Sequence, residues 1–176
     1  MMELRQELSE TALKSRISKF HPLIIAGVAL AAILFQVLVP RISGFFSYVE
    51  MPLLITVYFT LMRRSQIAGV AVGAFVGLAQ DAVSQNQLGI FGITKTLAGY
   101  LAASLSQRFD VDNPAVRGIL GALFFALHQL FLWFLRQIVL GQVADLAPLQ
   151  VLLAAILNGL LAIPLFALLD KLRLRA

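Results

Sequence analysis

Six apolar stretches, at about residues 22–39, 45–62, 67–84, 88–106, 116–138 and 148–169, fill most of this 176-residue chain and leave short polar connections between them. A bilayer core of about 30 Å is crossed by about 20 apolar residues in helical form. Backbone inside it has no water to bond, so each segment must satisfy its own amides, as a helix does. The predicted fold class is an all-α integral membrane protein with six transmembrane helices. At 60% hydrophobic residues the chain has no room for a separate soluble domain. It divides into an N-terminal segment over 1–20, a helical domain over 21–170 and a basic tail over 171–176.

The charges orient these spans. With both termini cytoplasmic, the inner segments hold Arg5, Lys14, Arg16, Lys19, Arg63, Arg64, Arg108, Arg117, Lys171, Arg173 and Arg175, which are eleven of the fourteen basic residues. Only Arg41 and Arg136 fall outside, and Lys95 lies within a span. The positive-inside rule favours this orientation. Glu50 and Pro52 interrupt the second stretch, leaving a length that also suits a re-entrant segment. Removing it as a span, however, would put Arg63 and Arg64 outside and invert every later loop. Pro52 is compatible with a first helical turn, and Glu50 with the positive end of a helix dipole. The second span is therefore expected to be a short helix.

The first stretch follows basic residues but runs into Val39-Pro40-Arg41 without a small-x-small cleavage site, so it reads as a retained anchor. Before it, Leu4, Leu8, Leu13, Ile17 and Phe20 recur at near-helical spacing among mixed charges. That pattern suits a helix on the inner membrane surface, the alternative being a soluble tail.

A net charge of +5 in a soluble protein would point to nucleic acid; here it reflects basic residues at the inner face. No stacking platform or compact basic groove accompanies it. The absence of cysteine removes disulfides, thiolate catalysis and cysteine-ligated metals. His21 and His128 lie several spans apart without a carboxylate nearby in sequence, a poor basis for a metal site. Neither a nucleophile with an adjacent base, nor paired catalytic carboxylates, nor a glycine-rich phosphate loop emerges, so no catalytic residue, cofactor or metal is assigned.

In the third stretch Gly69, Gly73 and Gly77 recur every four residues, with Asp81 next in the series. Small residues let helices approach closely, a main source of association in lipid, so the three glycines are a candidate packing or partner seam. A carboxylate inside a membrane is costly and seeks a partner or a wet cavity. From the helical rise, Asp81 lies about 5 Å below the outer turn and Lys95 about 10 Å. Their depth and opposite sign predict an ion pair, with ligand contact or solvent exposure of Asp81 as alternatives. His128 and Gln129 in the fifth stretch and Asn158 in the sixth are candidate interhelical polar contacts. Trp133 and Arg136 suit outer-interface anchors, and Pro164 a kink.

The run Pro52-Leu-Leu-Ile-Thr-Val-Tyr-Phe, the segment Gly77-Leu78-Ala79-Gln80-Asp81-Ala82, and Leu88-Gly89-Ile90-Phe91-Gly92 with Lys95 resemble the MreD family of rod shape-determining proteins. The resemblance is densest over residues 52–100, and chain length and the six-span layout agree with it. Gln85 stands where members often carry a small residue. The resemblance implies a non-enzymatic inner-membrane component of the bacterial elongation machinery with no cofactor. It would be associated with the bitopic protein MreC and through it linked to MreB, to RodA and to RodA's partner transpeptidase in peptidoglycan synthesis. The family is also similar in fold to the substrate-binding S components of energy-coupling-factor transporters, which makes vitamin binding the alternative function. Beyond Asp81, Lys95 and Gln36 the outer half lacks a dense polar constellation, which favours the scaffold.

Overall fold

A computed structural model describes residues 20–42, 44–84, 89–143 and 145–173, and the described residues form six long helices and no strand. The helices are α1 (Pro22–Leu38), α2 (Met51–Arg63), α3 (Gln66–Val83), α4 (Ile90–Ser106), α5 (Pro114–Phe134) and α6 (Pro148–Asp170). Two short 3-10 turns, Val39–Arg41 and Gly44–Tyr48, link α1 to α2, and a π-helical turn, Leu135–Val139, extends α5. Each apolar stretch has become one helix. The expected surface helix before the first stretch lies outside the described residues except for Phe20. So do Gln85 and Leu88.

Local signals account for most helix ends. Pro22, Pro114 and Pro148 open their helices, where the missing N–H is not needed. His21 accepts the Leu23 N–H at 3.3 Å, Ser65 that of Ala68 at 3.4 Å and Asn113 that of Ala115 at 2.9 Å, so each caps the helix that follows it. Pro52 occupies the first turn of α2, as its position required. Arg64 closes α2 in the left-handed region at φ 50°, its N–H reaching the Thr60 carbonyl at 3.1 Å. Helix α6 continues through Pro164.

Helix α2 is the axis of the bundle. Residues 52–62 are all buried, and α2 touches each of the other five helices. At 13 residues it spans about 20 Å, too short to cross a bilayer unaided. With the preceding 3-10 turn it forms an apolar segment, Gly44–Arg63, of crossing length. Four other segments qualify by length and apolarity: Pro22–Arg41, Gln66–Val83, Pro114–Val139 and Pro148–Asp170. Helix α4, at 17 residues, is shorter.

Around α2 the helices form two close pairs. Helices α3 and α4 pack through glycine; α5 and α6 pack through Gly118, Gly121 and Gly159, each backed by Ala122, Ala162, Ile163 or the facing backbone. Large apolar side chains such as Leu23, Ile67, Ile119, Leu149 and Leu160 point outward and are more than 60% exposed. Lys95, His128, Asn158 and Asp81 are buried. Polar groups inside and apolar groups outside are the distribution that a lipid solvent imposes.

Candidate functional site

A buried polar cluster sits where the N-termini of α2 and α4 meet α3 and α5. Lys95, in the second turn of α4, is fully buried, and its Nζ donates to Glu50 Oε1 at 2.8 Å. The same ammonium lies 3.4 Å from His128 Nε2 and 4.6 Å from the centroid of the Phe91 ring. Phe91 in turn stacks on His128, with planes 4° apart. An ammonium only donates, so Nε2 accepts and the imidazole proton is assigned to Nδ1. Gln80 donates to the same Glu50 oxygen at 3.3 Å. Four helices thus converge on one buried carboxylate and ammonium, and the ring face adds a cation–π contact.

Asp81 does not take the place expected for it. Its carboxylate accepts three backbone amides at the start of α4: Gly89 N–H at 3.0 Å, Phe91 N–H at 3.1 Å and Gly92 N–H at 2.8 Å. The first turn of any helix leaves its N–H groups without intrahelical partners, and its dipole favours a negative charge. Asp81, projecting from the end of α3, supplies both the acceptor and the charge, so the predicted direct pair with Lys95 is replaced by a cap on one side and a Glu50 salt bridge on the other. Matching depth had suggested the pair, but depth leaves the rotation of a side chain about its helix undetermined. Gly92 makes the cap possible, since a Cβ there would press on Leu78 and on the carboxylate. Asp81→Asn exchanges one acceptor oxygen for a donor facing N–H groups. Charged hydrogen bonds are worth about 1.5–3 kcal/mol, so a loss of about 2 kcal/mol is expected. Hydrogen exchange should show it as lost protection at Gly89–Gly92 while α6 stays protected.

Asn158 performs a similar service for α2. Its Oδ1 accepts the Glu50 N–H at 2.9 Å, and its Nδ2 donates to the carbonyls of Tyr48 at 2.7 Å and Ala154 at 2.8 Å. Gln36 on α1 accepts the Met51 N–H at 3.2 Å. The start of α2 is therefore held by α1 and α6, which positions Glu50 for Lys95. Gln129 lies beside a separate polar cavity of about 290 Å³, lined also by Ser47, Tyr48, Asp145 and Gln150. Trp133 lies in the last turn of α5 and Arg136 in the π turn beyond it.

The glycine row faces inward. A Cβ on Gly69 would collide with the Gly99 carbonyl, one on Gly73 with the Lys95 carbonyl, and one on Gly77 with the Phe91 carbonyl. Gly69, Gly73 and Gly77 therefore form an internal seam between α3 and α4, with Asp81 continuing the same row onto the end of α4. This gives the Gly77-Leu78-x-x-Asp81 segment a physical meaning: glycine brings the helices together, and aspartate locks the second to the first.

A second polar network, at the opposite end of the bundle, escaped the sequence reading. Asp170 accepts from Arg117 Nη1 at 2.7 Å, Arg173 Nη2 at 2.6 Å and the Tyr58 hydroxyl at 2.9 Å. Asp112 meets the same two arginines at 3.4 and 3.3 Å, and Arg117 Nε donates to the Val111 carbonyl at 2.8 Å. The charge pattern counts Arg117 only as an inner-side cation, yet it is 5% exposed. The available signal was its place inside the first turn of a helix, with the carboxylates of Asp112 and Asp170 near helix ends.

Comparison with known families carries the resemblance beyond residues 52–100. The family of rod shape-determining protein MreD matches residues 16–172. The chain belongs to the MreD family. It is accordingly a rod shape-determining, multi-pass membrane protein, and its family is structural. Neither a curated protein nor a solved structure gives a significant match. In this MreD protein the residues that carried the resemblance, Gly77, Asp81, Gly89, Phe91 and Gly92, make up the α3–α4 joint.

Proposed function

We propose that this MreD protein is a non-enzymatic scaffold of the bacterial inner membrane. It crosses six times with both termini cytoplasmic and holds the transmembrane helix of an MreC-like bitopic partner. Through MreC it bears on MreB, on RodA and on RodA's transpeptidase, and so on peptidoglycan synthesis. Family membership over residues 16–172 is the observation that carries this reading.

Two physical features support it. The eleven basic residues on one side favour that side as cytoplasmic. Helix α4, about 25 Å long, can serve as the sixth span because Asp81 satisfies its first amides within the protein, so that end need not reach water. The glycine seam is occupied internally, which leaves the outward faces for a partner. One such face is the wholly apolar groove between α4 and α5, about 440 Å³, bordered by Ile93, Leu97, Leu130, Phe131 and Phe134. Scaffolding of this kind controls synthesis only if the partner binds the active and inactive synthase states unequally.

Affinity purification from native membranes in mild detergent, with proteins and small molecules identified together, tests this function. An MreC-like protein is expected to co-purify. Photo-crosslinkers at Leu97 and Leu130 should capture its transmembrane helix, whereas one at Leu160 on α6 should not. A stoichiometric vitamin with a transporter ATPase module would overturn the scaffold and turn the Lys95 cluster into a substrate site.

A further inference from the structure

Helices α1 and α6 do not close against each other, and the space between them is a lateral groove of about 530 Å³ floored by α2. Small side chains open it: Ala31 and Ala32 line the α1 wall, Ile55 the floor and Leu168 the α6 wall. Phe35 and Met51 line its far end, and Lys171 stands at the other. On α1 the lining runs from Val28 to Phe35 and on the α6 side from Leu165 to Leu172, each about 10 Å of helix, so the slot leads from Lys171 into the apolar depth of the bundle. A leaflet's hydrocarbon is about 15 Å deep, so walls of this length take most of one acyl chain.

The charge at the mouth is uncompensated within the described residues. Lys171 is exposed and enters no ion pair there, although Asp170 precedes it directly. Asp170 turns instead to Arg117 and Arg173, each at 2.7 Å or less. An ammonium at headgroup depth above an apolar slot is complementary to a lipid phosphate above its acyl chain.

We propose that this groove is a binding site for one anionic phospholipid of the inner leaflet, with an acyl chain along Ala31, Ala32 and Ile55 and its headgroup phosphate at Lys171. The assignment rests on the proposed orientation, in which the Lys171 end is cytoplasmic. The site lies on the far side of the bundle from the α4–α5 groove and leaves that groove free for a partner helix.

The test is native mass spectrometry of the purified full chain, offered phosphatidylglycerol or phosphatidylcholine with identical acyl chains. Wild type is expected to retain one phosphatidylglycerol in preference to phosphatidylcholine. Lys171→Ala should weaken phosphatidylglycerol retention about fivefold, the effect of one surface cation, and leave phosphatidylcholine unchanged. Ala31→Trp, on an exposed wall position, should reduce retention of both lipids by filling the slot. Equal retention of the two lipids by wild type, or a phosphatidylglycerol preference that survives Lys171→Ala, would overturn the site. Should Ala31→Trp fail to fold, Lys171→Ala at its exposed position decides alone. Orientation is read separately: the chain has no cysteine, so a single Lys171→Cys can be labelled in spheroplasts. Labelling by an impermeant reagent added from outside would reverse the topology without bearing on lipid retention in detergent.

Discussion

Replacing Lys95 by methionine while Glu50 is kept is expected to destabilise the protein by about 3–5 kcal/mol, the cost of leaving one member of a buried pair without its partner. The effect should be large because Lys95 is fully buried and the Glu50 side chain only 12% exposed. Gln80 and His128 would also lose the group around which they are arranged. The pair itself need not be a net source of stability, since desolvating both ions offsets much of their attraction. Hence the double variant Glu50→Gln, Lys95→Met should recover most of the loss. Thermal aggregation of the purified protein in detergent, followed by size-exclusion chromatography, measures the double variant and the two single ones, Lys95→Met and Glu50→Gln. A double variant whose loss equals the sum of the two single losses would show that the residues act independently and that the 2.8 Å contact does not organise the cluster.

Gly73→Leu should prevent the bundle from assembling. The new side chain would have to occupy space held by the Lys95 carbonyl and the Thr96 Cα, and backbone cannot swing aside as a side-chain tip can. Overpacking a core by a few methylenes costs about 1–3 kcal/mol where side chains can adjust. Here α3 and α4 must separate, which would also pull Asp81 off the first turn of α4 and move Lys95 away from Glu50, so the loss should exceed that range. Gly27→Leu is the control, because a Cβ at Gly27 meets nothing within 4 Å. The expected result is aggregated protein for Gly73→Leu and a monodisperse peak for Gly27→Leu. A well-folded Gly73→Leu that merely lost its partner would place the seam on the outside of the molecule.

The helices were legible because hydropathy is a property of each residue summed along the chain: the six apolar stretches correspond to the six helices within a few residues, once α2 is taken with the 3-10 turn before it. Pro52 in a first turn and the cost of a membrane-embedded Asp81 were legible for the same reason, being local to their own segments. The partners were not. Asp81 and Lys95 share a depth, but Lys95 meets Glu50, forty-five residues earlier in the chain, and Asp81 meets amides of the next helix. Gly69, Gly73 and Gly77 announced a seam without announcing what lay across it. Arg117 reads in sequence only as an inner-side cation, and the fold brings Asp112 and Asp170 to it and Arg173 to the same two carboxylates. The sequence by itself determined that this protein lives in a membrane, how its charges bias its orientation and where its helices run, since transfer free energies depend on each segment alone. Only the tertiary structure decided which buried charge satisfies which, because that depends on the rotation and adjacency of helices far apart in sequence, set by where glycine lets two backbones touch.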